Sequence, residues 1–174
     1  AAPLCGVMAG LEPNIGIALD TAYGVQQLMF PEMEIAGYDS YEDALASWEG
    51  AASRLIESAR DQDTDAIARI FTVAAMVDAP SQTYTYDGTS IVSTVSGTIE
   101  SLLTALAYGT VGRYEIDTRY GGSVVGNVES DYASRLDDAE REAIDALGGE
   151  GAAERFVTIL DNGPRVEADP AAMA

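Results

Sequence analysis

The stretch from Ser90 to Tyr108, Ser-Ile-Val-Ser-Thr-Val-Ser-Gly-Thr-Ile-Glu-Ser-Leu-Leu-Thr-Ala-Leu-Ala-Tyr, constrains this chain more than any other. Ile91, Val95, Ile99, Leu102 and Leu106 recur at the four-then-three spacing of a helical face, and Val92, Leu103 and Ala107 widen the stripe. A stripe this wide predicts a central helix over 90–108, buried on most sides. The flanking segments carry narrower apolar stripes, so they pack around it and leave their acidic sides in water. With 174 residues, 47% of them hydrophobic, a single domain over 1–174 is large enough to bury roughly 70% of the surface of its unfolded chain.

The remaining elements follow from local signals. The apolar run over 1–10 reads as a strand end and a loop. Pro13 suits a first helical turn, and Ile15, Leu19, Ala22, Tyr23 and Met29 continue to Pro31, which stops the helix. Ser40-Tyr-Glu-Asp43 resembles a capping box opening a helix that buries Leu45, Trp48, Ala52, Leu55, Ile56 and Ala59. Asp61-Gln-Asp63-Thr-Asp65 begins like a calcium loop, but the positions that need Gly and Glu hold Ala66 and Thr72. One of these aspartates instead caps a helix burying Ile67, Ile70, Phe71, Ala74 and Val77, which ends before Pro80.

Gln82 to Asp87 alternates Thr and Tyr before Asp87-Gly88 and predicts a short extended piece. Gly97 marks a close helix contact, Gly109 and Gly112 close the central helix, and 111–128 is the longest irregular region, holding Arg113, Tyr114, Arg119 and Tyr120. Ser130 caps a further helix with Tyr132, Leu136, Ala139, Ala143 and Leu147 on its apolar side, and Gly148-Gly149 ends it. A last short helix carries Ala152, Phe156, Ile159 and Leu160, and Arg165 to Pro170 is extended. The expectation is a mainly α fold of about six helices around the central one, with one or two short strands.

Charge and missing residue types exclude whole classes of function. Against 29 Asp and Glu stand nine basic residues, all Arg, for a net charge of −20. That balance repels phosphate backbones and anionic bilayers, so no nucleic acid is expected as a partner. Acidity with Arg and no Lys fits a high-salt proteome or a GC-rich genome, leaving a secreted or a high-salt setting open for a soluble chain. No apolar run approaches the ~20 residues of a membrane span. Cys5 is the one cysteine, so no internal disulfide forms.

Without His there is no Ser-His-Asp or Cys-His catalysis and no His-based metal site; without Lys there is no Schiff base and no phosphate-loop lysine. The elbow Gly-x-Ser-x-Gly is also missing, because Val125 follows Gly122-Ser123-Val124. Paired carboxylates, Glu32 with Glu34 or Asp137 with Asp138, remain as an acid–base or hard-cation pair, though 29 acids produce such pairs by chance. No catalytic residue, metal or cofactor is expected from the chain itself.

Ala2-Pro3-Leu4-Cys5-Gly6, then Asn14, then Leu19-Asp20-Thr21-Ala22-Tyr23 resemble the segment that leaves the sheet in certain bacterial serine esterases of the α/β-hydrolase fold and enters a mostly helical insertion. Gly126-Asn127-Val128, Asp131-Tyr132 and Arg165-Val166-x-Ala168-Asp169-Pro170 are similar to the return from it. The resemblance spans nearly the whole chain and implies a lid, or cap, with the nucleophilic Ser upstream of Ala1 and the acid and His downstream of Ala174. The implied partners are the catalytic core of a parent hydrolase and a small apolar ester, and a lid freed from its core would expose an apolar face that favours a homo-oligomer. Tyr23, Met29, Phe30 and Tyr108 are the residues expected to line the substrate pocket. Two other readings compete: a free-standing acidic helical interaction domain, homodimeric in one form, and a carboxylate–metal enzyme.

Overall fold

The computed structural model describes residues 11–172, with side chains from Asn14 onward, so the strand expected within 1–10 and Cys5 lie outside the described residues. Six helices carry the fold: α1 (Leu11–Leu28), α2 (Tyr41–Arg60), α3 (Thr64–Met76), α4 (Ile91–Tyr120), α5 (Asp138–Gly148) and α6 (Ala152–Asn162). A short 3-10 turn, Ala133–Arg135, precedes α5.

Side-chain caps set the starts. Ser40 accepts the Asp43 amide, Asp63 accepts those of Asp65 and Ala66, and Ser90 accepts that of Ser93, each satisfying donors that a first helical turn leaves open. The expected Ser130 cap is overturned. Asp137 starts α5 through a reciprocal capping box with Glu140, and Tyr132 and Leu136 are buried in the segment before it. Asp145 of α5 then accepts the amides of Gly151 and Ala153, so one helix caps the next.

Ser81 to Thr89 forms bends, and no strand occurs among the described residues, so the expected extended piece is also overturned. The reason lies in α4. Thr83 and Thr85 donate their hydroxyls to Glu100, and Ser101 donates to Pro80 O at 2.7 Å, so this loop bonds to helix side chains rather than to a strand. The contact anticipated at Gly97 is with that loop: a Cβ there would fall 2.0 Å from Ser81 O.

The central helix does not end at Gly109. It is α-helical over Ile91–Ala107, passes through a π turn at Tyr108–Gly112, and continues as α-helix over Arg113–Tyr120. Glycine at 109 serves a helix crossing, because a Cβ there would lie 2.1 Å from Ala18 O of α1. The resulting 30 residues, with a best-window mean hydropathy of 1.3, are long and apolar enough by length and composition to cross a bilayer. Their packing is that of a core helix: Val95, Ile99, Leu102 and Leu106 are buried, and the helix lies against α1, α2 and α3. Ile91 and Val92, read as part of the buried stripe, are each 71% exposed, because nothing covers the first turn of α4.

The last two helices pack chiefly on α1, α3 and each other, not on the central one: α5 lies on α3, and α6 on α1, α3 and α5. Trp48 of α2 is half-buried and donates its indole N–H to Leu103 O at 3.3 Å, whereas Ile56, expected inside, is exposed.

Candidate functional site

An open cleft of about 1050 Å³ lies between the start of α1, the end of α3 and the segment 124–130. Its walls include Ile17, Met76, Val77, Val124, Val125 and Val128, and its polar groups are Asp20, Asp78, Glu129, Ser130 and Arg135, with Ala168 from the C-terminal segment. Apolar walls with a few convergent polar groups are the usual makeup of a binding site.

A buried polar network lies against Asp20. That residue faces the cleft from the middle of α1, is 5% exposed, and carries two partners: Arg135 donates from Nη1 to Oδ2 at 2.7 Å, and Tyr132 donates its hydroxyl to Oδ1 at 2.7 Å. The Tyr132 oxygen in turn accepts from Asn127 Nδ2 at 2.9 Å. Asn127 then clamps the C-terminal segment, since its Oδ1 accepts the Val166 amide at 2.8 Å and its own amide donates to Val166 O at 3.0 Å. The chains pass so closely that a Cβ on Gly126 would sit 2.6 Å from Ala168 N.

Aromatic rings complete this network. Tyr132 stacks on Tyr23 with centroids 5.4 Å apart and planes 17° from parallel, and Tyr23 donates its hydroxyl to Leu160 O at 2.6 Å. The Arg165 guanidinium lies 4.5 Å from the Tyr132 centroid and 5.3 Å from that of Tyr23, the geometry of a cation–π contact. Burial, reinforced by the Asp20 carboxylate, pushes the Tyr132 hydroxyl well above the ordinary tyrosine range, and burial raises Tyr23 as well. Both tyrosines therefore serve as neutral donors that fix the geometry of the network.

The Leu19–Tyr23, Gly126–Val128, Asp131–Tyr132 and Arg165–Pro170 motifs are scattered over some 150 positions, yet Asp20, Tyr23, Asn127, Tyr132, Arg165 and Val166 meet in this one network. Arg135, the cleft's cation, was missed: nothing local in the sequence pairs it with a carboxylate 115 residues away.

A second buried centre supports the cleft from α4. Arg113, fully buried, donates from Nε to Asp117 Oδ2 at 3.1 Å and from Nη2 to Ser123 Oγ and to Val125 O. The reading of Arg113 as a loop residue is thereby corrected, because it is the inward member of a helical turn that anchors 123–125. Its Nη1 and Asp117 Oδ1 have no protein partner among the described residues.

The four expected lining residues do not meet. Tyr23 is buried in the stack, and Met29 is half-buried against the core. Tyr108 is 65% exposed on the π turn. Phe30 lines a smaller cavity of about 310 Å³ with Glu32, Glu34, Asp43 and Arg54, and the Arg54 guanidinium sits 5.2 Å from its ring centroid. Of the carboxylate pairs, Glu32 is bonded to Arg54 and Asp137 is spent on its helix cap. Among the described residues no cluster of three or more His, Cys, Asp or Glu is arranged to hold a metal. Comparison with family models, curated proteins and solved structures finds no match to this chain.

Proposed function

We propose that this chain is the substrate-access lid of an ester-type α/β-hydrolase and is not catalytic by itself. The observation that carries the reading is the network just described. Leu19–Tyr23, the later part of the opening resemblance, and the closing motif Arg165–Pro170 are tied together through Tyr132 and Asn127, which supports an insertion whose outgoing and returning segments pack side by side. Its apolar cleft, with Asp20 already matched by Arg135, suits the lining of an acyl or alcohol pocket. Nothing in the chain supplies a nucleophile with its base.

The test is hydrolysis of a short chromogenic ester such as p-nitrophenyl butyrate. The 174-residue chain is expected to give no turnover above buffer, while the native polypeptide that contains it hydrolyses the ester. Turnover by the chain alone that survives repurification sinks the lid reading.

One observation favours a second reading, a free-standing helical interaction domain. Tyr84 is fully exposed, and Ile91 and Val92 in the first turn of α4 are each 71% exposed, apolar surface suited to a partner or a second copy. Sedimentation of the native gene product separates the two: this reading requires a chain of 174 residues, monomeric or dimeric, with no hydrolase attached.

A further inference from the structure

The lid reading leaves open which surface is covered by the catalytic core. We infer that it is the face bearing the large cleft, and that the core meets it with an apolar surface edged by basic side chains.

Three observations converge on this face. Gly16 and Ile17 of α1 and Ala168 of the C-terminal segment line the same cleft, so this face presents both the helix that carries Leu19–Tyr23 and the Arg165–Pro170 segment. Large apolar side chains are left in water here: Ile17 is 46% and Val128 54% exposed, both on the cleft wall. The charges are also unbalanced. Arg135 is the only basic residue on the cleft among the described residues, and Asp20 already holds it. Asp78 and Glu129 line the same cleft and have no ion-pair partner among the described residues.

An excess of two carboxylates around an apolar wall calls for Arg or Lys on whatever covers it, since a buried like-charge or unpaired acid is costly. A second copy of this chain fits poorly. Two-fold pairing of the same patch sets Asp78 and Glu129 of one copy against those of the other, on chains of net charge −20. The exposed Tyr84, Ile91 and Val92 are not among the residues that line the cleft and lie off the proposed interface.

The experiment uses the native polypeptide with two pairs of substitutions, Ile17→Asp with Val128→Asp and Ile91→Asp with Val92→Asp. All four positions are exposed, and thermal melts of the 174-residue chain carrying each pair confirm that the helices still form. Hydrogen exchange of peptides covering 14–20 and 124–130 is compared between the native polypeptide and the isolated chain, and p-nitrophenyl butyrate hydrolysis is followed for each variant.

The expected result is slower exchange in the native polypeptide at both peptides, lost in the Ile17/Val128 pair, together with a fall in kcat/KM of roughly tenfold, the scale of a disrupted interface centre. The Ile91/Val92 pair should leave exchange at those peptides unchanged. Equal exchange in polypeptide and isolated chain, or a larger effect from the Ile91/Val92 pair, overturns the inference. In that case ester hydrolysis by the native polypeptide still stands and the lid reading survives with a different docking face. A native polypeptide with no hydrolase segment removes the lid reading and this inference together.

Discussion

The two halves of α4 are held in place by different means. From Ile91 to Ala107 the buried side chains are Val95, Ile99, Leu102 and Leu106 with one small polar residue, Thr98, and the four apolar ones contribute by leaving water and need no particular partner atom. From Arg113 to Tyr120 the buried residue is an arginine, fixed by Asp117 four positions on and by Ser123 and Val125 beyond the helix end. The first half tolerates any side chain of similar volume. The second depends on a planar fork matched to particular oxygens, and through them it sets the wall of the cleft.

The largest effect should come from the apolar half. Leu102→Ala leaves a cavity in the core and is expected to cost about 3 kcal/mol in urea unfolding, whereas Leu102→Met, which conserves volume, costs about 1 kcal/mol or less. Arg113→Lys is just as conservative in charge, yet it surrenders the fork and should cost about 2 kcal/mol. If Arg113→Lys is as mild as Leu102→Met, the two halves are not held differently and the comparison fails.

The junction between the halves sharpens the contrast. Gly109→Ala drives a methyl into the Ala18 carbonyl and should destabilise by about 2 kcal/mol, while Gly50→Ala, in the open middle of α2 with no atom nearby, should stabilise by up to about 1 kcal/mol. Opposite signs in thermal melts are the expected outcome. Equal signs would mean that the α1–α4 crossing is looser than the Gly109 contact implies.

Tyr132→Phe removes one hydroxyl that serves both Asp20 and Asn127, and the expected loss is about 1–2 kcal/mol with a displaced C-terminal segment. Its pH signature follows from burial. Tyr132, Tyr23 and Tyr38 all titrate above their ordinary range in the folded protein, with Tyr38 pushed up to about 12 by burial. A folded-state pKa raised above the unfolded one gives stability that is complete below the unfolded tyrosine value of about 10 and is lost as pH rises toward the folded values. Urea unfolding between pH 9 and 12 should therefore show a steep decline that Tyr132→Phe makes shallower; an unchanged slope would mean that Tyr132 is not held neutral by the fold.

What was legible in the sequence follows the same division. Apolar periodicity and capping chemistry act over three or four residues, so the starts at Ser40, Asp63 and Ser90 and the burial of Leu102 and Leu106 were readable. Gly109 and Gly112 looked like stops because a π turn at a helix crossing and a helix terminus ask for the same residue. Asp137-Asp-Ala-Glu140 carried a better capping box than Ser130, but the apolar Tyr132 and Leu136 pulled the expected start too early. In the buried network beside the cleft, the motif residues Asp20, Asn127 and Tyr132 could be picked out, whereas their mutual bonds and the Arg135 counter-charge depend on contacts up to 115 residues apart that leave no local pattern.

The most direct test of the lid reading is the mass and sequence of the native polypeptide, taken from its source and read together with the coding DNA on both sides of these codons. The account predicts a chain much longer than 174 residues, with a Gly-x-Ser-x-Gly elbow upstream and an acid and a His downstream. A native polypeptide confined to these residues, or flanked by sequence without that triad, would contradict it.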